Sequence, residues 1–434
     1  MPAQTTMHPL DWNFTPETAL AHWPSERTLA VLATGTADGR WGRWTILAAP
    51  SRTVTAMTAE DALLAIDSAS TDGGTWIAAL SYEFGSTFEP SAYPRHRAPA
   101  DSWPMATLVR CDAQMIYDHE SHTWQMSHEA SELAQEVSDR VARGQRDERC
   151  ATITGLESDI SRAEFEAMVE RAVDLIQAGD IFQTNLAQRF SAQWRGSPRA
   201  ILRAALRAAL PRYGAYLETS THALVSMSPE LFVEVDRNAG RVITRPIKGT
   251  RAFHEDPLEL LASDKDAAEL HMIVDLMRND LGRIAVPGGV RVTASRAVES
   301  HETVHHCVAE VEAMLRANTS VVDILRATFP PGSVTGAPKV RAMQVIDELE
   351  PSARGPYCGA VGLISPSLMA LNVAIRTIAL QNTDANGGTL RYSAGCGIVA
   401  ESQPRQEYEE SLHKCAVLLR TAHALTVSAD VQDS

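Results

Sequence analysis

The chain has 434 residues, 44% hydrophobic and 21% charged, values expected of a protein with a substantial core and length for two domains or one large α/β unit. Its 39 Lys and Arg against 54 Asp and Glu give a formal charge of −15. That argues against the clustered basic surface a nucleic-acid binder needs, though not against an anionic small molecule held by a local group of cations. The six cysteines are scattered with no C-x-x-C pair, so neither a zinc knuckle nor a disulfide framework is expected, and a reducing compartment fits. MPAQTTMHPLDWNF lacks a basic and apolar leader pattern, and no apolar run approaches the roughly 20 residues that span a bilayer. The expectation is a soluble, cytoplasmic protein without membrane contact.

In chain order, residues 1–150 carry short strand-like runs at 29–33, 44–49 and 76–82 among scattered Pro and Trp, and end in the charged stretch SDRVARGQRDERC. They read as an N-terminal region, followed by a catalytic domain over 151–430. A helix opens at Ser161 with Glu164 three residues on, the capping-box spacing. Phe165, Met168, Val169, Ala172 and Ile176 follow at helical period, and Gly179 ends it. Residues 181–190 alternate Phe182, Leu186 and Phe190 with Gln183, Asn185 and Arg189, a strand period. Strands are expected at 225–235 and 241–247, and a helix at 264–284 with Leu270, Ile273, Val274, Met277 and Leu281 on one stripe. Two β-rich segments at 371–380 and 390–399 precede a closing helix at 405–425, entered through Pro404. There is no G-x-G-x-x-G after a strand and no G-x-x-x-x-G-K-[ST], which disfavours Rossmann and P-loop folds. The expected class is α+β, with large antiparallel sheets flanked by helices.

Several residues are candidates for chemistry. Glu269 lies off the apolar stripe of its helix, and Glu407, Glu410 and Lys414 share one face of the closing helix. Paired carboxylates suit a hard cation such as Mg²⁺, which takes one or two of them and leaves room for substrate oxygens; the alternative is a solvated face with a Glu–Lys pair. Lys248 in RPIKGT is either a surface lysine or a desolvated nucleophile. Glu230 in SPELF is either a loop carboxylate or a site acid. His305 and His306 lie in ETVHHCVAEV, where a satisfied core histidine is the commoner outcome. Gly395 and Gly397 in SAGCGIVAES permit close backbone approach or mark a bulge.

The segments RPIKGTR, DLMRNDLGRIA, FPPGSVTGAPKVRAMQVIDELE, GPYCGAVGLIS, LNVAIRTI and SAGCGIVAESQPRQEYEESLHK occur in that order. This string resembles the chorismate-utilising enzymes, over roughly 155–425 closely and through GGTWIAALSYEFG in the N-terminal third loosely. The resemblance implies the anthranilate synthase component I-like fold and a set of roles. Glu269 and Glu410 look like Mg²⁺ carboxylates, with Glu407 as a further or water-mediated ligand. Arg376, Tyr357, Lys414 and the backbone N–H groups near Gly395 and Gly397 look like substrate-carboxylate contacts, and Thr335, Gln183, Gly249 and Thr250 line the same pocket. Glu230 matches the family's general acid at the departing C4 hydroxyl, and His306 a histidine near the substrate. Chorismate is a dianion, so four carboxylates beside it require offsetting by Mg²⁺, Lys248, Arg376 and Lys414, because unpaired buried charge is costly.

Two positions narrow the expectation. Water-adding relatives carry a lysine base where this chain has Gln183, and a neutral amide cannot act as general base. Anthranilate synthases usually read PIAGT where this chain reads PIKGT, so the pattern resembles the aminodeoxychorismate synthase component I branch. There the lysine is proposed to attack ring C2 before ammonia enters at C4. No cysteine stands in a G-x-C-x-G elbow, so ammonia is expected from a separate glutamine amidotransferase subunit, and the product is expected to feed 4-aminobenzoate and folate. The alternatives are anthranilate synthase component I chemistry, or a non-catalytic chorismate-binding relative. An L-L-E-S stretch of tryptophan-inhibited relatives is missing between Leu29 and Pro50, which disfavours tryptophan feedback.

Overall fold

The computed structural model describes residues 6–35, 42–93, 103–147, 149–300, 304–384 and 386–430. Among them the strands form two sheets, one of twelve and one of ten, and every pairing is antiparallel. The sheets stack through a layer of small and aliphatic side chains, including Ala30, Ala215, Leu217 and Leu224 from one and Ile77, Val109, Val361 and Leu363 from the other. Period-two alternation then sends Val31, Tyr216 and Val225 to the outer face of the first sheet, under the helices Pro198–Ala209 and Ala416–Asp430. Ala360 and Ile364 go to the outer face of the second, packed against Asp264–Gly282 and its neighbours. The architecture is α+β, as expected: a two-sheet sandwich with helices outside both sheets.

Both long helices behave as their patterns require. Ser161 accepts from the Glu164 N–H while Glu164 returns to the Ser161 N–H, starting Arg162–Gln177 with a full capping box. Leu270, Ile273, Val274, Met277 and Leu281 are all buried along Asp264–Gly282.

Three boundaries differ from expectation, two of them at a proline or a left-handed residue. The run at 225–235 is two strands, His222–Ser228 in the first sheet and Leu231–Asp236 in the second, because Pro229 has no N–H for the ladder and the chain turns there. The run at 371–380 divides likewise into Leu368–Val373 in the second sheet and Thr377–Asp384 in the first, with Arg376 in left-handed backbone at φ 51°. The closing helix is two helices, Pro404–Lys414 and Ala416–Asp430. Phe182, placed with Leu186 and Phe190 on an apolar face, is instead 68% exposed just ahead of its strand, Gln183–Gly196.

The division near residue 150 is a change in sequence texture and not in fold. Ala30–Ala33 pairs with Tyr213–Glu218, and Trp76–Leu80 pairs with Ala360–Ile364, so the N-terminal strands extend both sheets of the expected catalytic domain. A backbone ladder continuous across the boundary ties the two regions through their main chains. No helix among the described residues is long and apolar enough to cross a membrane.

Candidate active site

The two sheet-switching corners lie side by side. The Val373 N–H donates to the Glu230 carbonyl at 3.0 Å, the Met227 N–H to the Arg376 carbonyl at 3.0 Å, and the Ser228 hydroxyl to the Val373 carbonyl at 2.6 Å. Glu230 is thereby carried into the interior, 5% exposed. Burial pushes its carboxyl up to about 7, while the Ser333 hydroxyl, the Lys248 ammonium, the Ile247 N–H and Lys414 pull the other way. A carboxyl near 7 is half protonated at neutral pH, the state a general acid needs.

Lys248 lies in the edge strand Ile247–Ala252, whose partner Val304–Leu315 carries His306. Its ammonium is 3.7 Å from the Glu269 carboxylate, and both side chains are 14% exposed. It also reaches Gly397: a Cβ built there would come within 3.0 Å of Lys248 Nζ and 2.5 Å of Gln183 Nε2. Glycine at 397 therefore leaves room for two side chains converging from different strands. Gln183 is 2% exposed and its Oε1 has no hydrogen-bond partner among the described residues, a buried acceptor that favours a donor entering the pocket. His306 is buried with Nδ1 3.0 Å from the Thr250 hydroxyl on the paired strand, and His305 is spent on Ser300 and the Phe253 carbonyl. Both histidines are thus buried and partnered. Gly249 has φ +85°, and a Cβ there would crowd Asp266 and Leu260 at 3.1 Å.

The strand Gly387–Ile398 continues past the end of its pairing with Thr377–Asp384 at Ile378–Tyr392, so from Ser393 onward Gln183–Gly196 is its one strand neighbour among the described residues. The Gly395 carbonyl turns to the open side and accepts from Lys414 Nζ at 2.8 Å. In an extended strand N–H and C=O of one residue share a side and the side recurs every second residue, so the Gly395 and Gly397 N–H groups face that side too. Lys414 also pairs with Glu410 at 2.8 Å. Burial draws its ammonium down, but Cys396, Glu410 and Glu407 together hold it above the usual lysine range.

Of the three carboxylates expected to share a cation, two sit in one group of possible ligands among the described residues. Glu407 and Glu410 lie with Cys396, their ligand atoms within 4.8 Å of one another, while Glu269 is outside that group, beside Lys248. Each carboxylate takes a nearby donor that offsets its charge, Glu269 the Lys248 ammonium, Glu410 the Lys414 ammonium and Glu407 the Ser402 hydroxyl at 2.7 Å. Tyr357 is buried against Arg354 and Cys358. The Arg376 guanidinium is pulled down by burial, held up by Tyr392 and pushed down again by Arg420. The buried Thr335 directs its hydroxyl at the Pro331 and Gly332 carbonyls, both at 3.2 Å. Ser333, Ser402 and Cys396 were missed by sequence reading; each sits within two residues of a residue already singled out or in the same motif, and that adjacency was the available signal.

The family profile described as chorismate binding enzyme matches residues 27–420. The aminodeoxychorismate synthase component 1 of Salmonella typhimurium is 37% identical over 349 residues, covering 77% of this chain and 74% of that one. This chain belongs to the chorismate binding enzyme family. The anthranilate synthase component 1 of Aquifex aeolicus is 40% identical over 285 residues, 64% of this chain and 56% of that one. The crystal structure of anthranilate synthase component I from Streptococcus pneumoniae superposes with a TM-score of 0.73 at 30% identity, covering 89% of this chain and 94% of that one. Lys248 and Lys414 both act on the buried Glu230 carboxyl, so the pocket around it carries two cations. The carboxylates Glu269, Glu407 and Glu410 are hard oxygen donors that fit Mg²⁺. Burial keeps the nearby Cys396 thiol well above its usual range.

Proposed function

We propose that this chain aminates chorismate at C4, giving 4-amino-4-deoxychorismate, as the component I of an aminodeoxychorismate synthase. The observation that carries the reading is the meeting of Lys248 Nζ and Gln183 Nε2 over Gly397, which puts an amine in the pocket and an amide at the position where water-adding relatives are expected to hold a base. Glu230, buried and pushed up to about 7, gives its proton to the C4 hydroxyl, which leaves as water. Lys248, having given a proton from its ammonium to solvent, adds as the free amine at C2 as that bond breaks, and ammonia then enters at C4 and expels the lysine. The enolpyruvyl ether is untouched, so His306 has no proton to remove. Lys414, Arg376 and the open-side N–H groups of Gly395 and Gly397 bind the substrate carboxylates. Glu269, Glu407 and Glu410 would hold Mg²⁺, which supplies positive charge against the ring carboxylate.

Ammonia comes on this reading from a glutamine amidotransferase partner, and the product passes to a lyase for 4-aminobenzoate. The sequence likeness to a component 1 protein supports the need for a partner. The test is purified chain with chorismate, Mg²⁺ and ammonium at alkaline pH, products identified by mass. 4-Amino-4-deoxychorismate is expected. Anthranilate would move the chemistry to C2, and intact chorismate would leave a binding protein.

A further inference from the structure

A second buried network joins the N-terminal region to the substrate side of the pocket. Glu83, from the turn Tyr82–Thr87, is 5% exposed and accepts the Arg354 N–H at 2.7 Å and the Gly355 N–H at 3.0 Å. Arg354, 6% exposed, spends its guanidinium on three segments at once: both Glu350 oxygens at 2.9 and 2.7 Å, the Val334 carbonyl at 3.0 Å and the Asn185 carbonyl at 2.8 Å. Val334 precedes Thr335, whose carbonyl accepts from Asn185; Asn185 is two residues from Gln183 and opposite Gly397. Tyr357 follows on the turn itself, its ring 5.7 Å from the guanidinium. The turn does not hold its shape unaided: Gly355 has φ 60° and Cys358, a non-glycine residue, has φ 61°, a conformation that persists only where surroundings over-determine it.

We propose that Glu83 and Arg354 are positioning residues for chorismate: the Glu83 carboxylate fixes the 354–358 turn, and the Arg354 guanidinium sets Tyr357, Thr335 and the Gln183 strand end in register with one another. The planar fork of arginine meets acceptors on three segments together, which the single ammonium of lysine cannot. This gives the N-terminal region a part in the site although it supplies none of the groups placed at the reacting atoms. The inference rests on reading the cleft as the chorismate site and deepens it.

The experiment compares the full-length wild type with Glu83→Gln and Arg354→Lys in Mg²⁺, measuring chorismate binding by calorimetry and, with ammonium, the KM of each substrate and kcat. Burial already pushes the Glu83 carboxyl up to about 7, so a neutral amide is compatible with the native interior. The chorismate Kd and KM are expected to rise about tenfold in each variant, with kcat and the ammonium KM changed less than about threefold. The double variant should be no worse than the weaker single one, because both changes release the same turn. Unchanged chorismate affinity, a loss confined to kcat, or failure of both variants to fold would overturn the proposal, the last marking the cluster as fold core alone. If only Glu83→Gln fails to fold, Arg354→Lys decides. If wild type binds chorismate but does not aminate it, the functional reading falls while calorimetry still judges the two positioning residues.

Discussion

Replacing Glu230 by Gln isolates the acid from every other ionisation in the site. Burial moves this carboxyl from an ordinary 4.5 to about 7. At 1.36 kcal/mol per unit, that difference is on the order of 3 kcal/mol. The sign follows from proton counting. Between pH 4.5 and about 7 the folded protein holds a proton that the unfolded chain has lost, so stability falls as pH rises through that window, and above it the buried carboxylate carries its full cost. Glutamine cannot ionise. At pH 8 Glu230→Gln is therefore expected to be more stable than wild type by up to about 3 kcal/mol, less the hydrogen bonds it makes more weakly. Activity should move the opposite way. With chorismate kcat/KM measured from pH 5.5 to 9 in both proteins, the ratio of wild type to variant cancels the ionisations of lysine and ammonia. That ratio should be flat at about 10²–10⁴ in acid and fall about tenfold per pH unit above 7, as the acid form is lost. A ratio independent of pH, or a variant less stable than wild type at pH 8, would refute the assignment of Glu230 as a buried acid.

Other outcomes follow from the same geometry. EDTA should abolish turnover and Mg²⁺ restore it, and Glu269→Gln or Glu410→Gln should do the same as EDTA without lowering the melting temperature by more than a few degrees; full turnover in metal-free buffer would remove the three carboxylates from that role. Lys248→Ala should lose most C4 amination, and wild type mixed with chorismate and Mg²⁺ without ammonia should gain mass at Lys248. An unmodified protein together with a normally active variant would rule out the covalent step. Gly397→Ala should fold normally, because the atoms nearest its Cβ are the side-chain ends of Gln183 and Lys248 and not backbone. It should nevertheless cut kcat by about ten- to a hundredfold by displacing both; wild-type kinetics would show that the two side chains do not converge during turnover.

Much of the site was legible because its residues sit in short ordered motifs whose local patterns are strong. The capping box at Ser161, the apolar stripe from Leu270 to Leu281 and the PIKGT run with its lysine all depend on neighbours within a few residues, and the structure reproduces the first two directly. What failed was continuity. The run at 371–380 has unbroken β propensity yet changes sheet part-way, which only the choice of hydrogen-bond partner reveals, whereas Pro229 marks the break within 225–235 in the sequence itself.

The sequence by itself determined the kinds of elements, their apolar faces and the identities of the groups that can do chemistry, because periodicity and capping are enforced within one or two turns of chain. Tertiary structure alone decided which of those groups meet. Glu83 caps a turn 271 residues away, Trp76–Leu80 joins a strand of the expected other domain, and Glu269 turns to Lys248 while Glu407 and Glu410 gather at Cys396. Such pairings arise when strands distant in sequence satisfy one another's backbone groups and buried charges choose the nearest compensating partner. Neither requirement leaves a periodic trace in the chain, since each is met by whatever residue the opposing segment delivers.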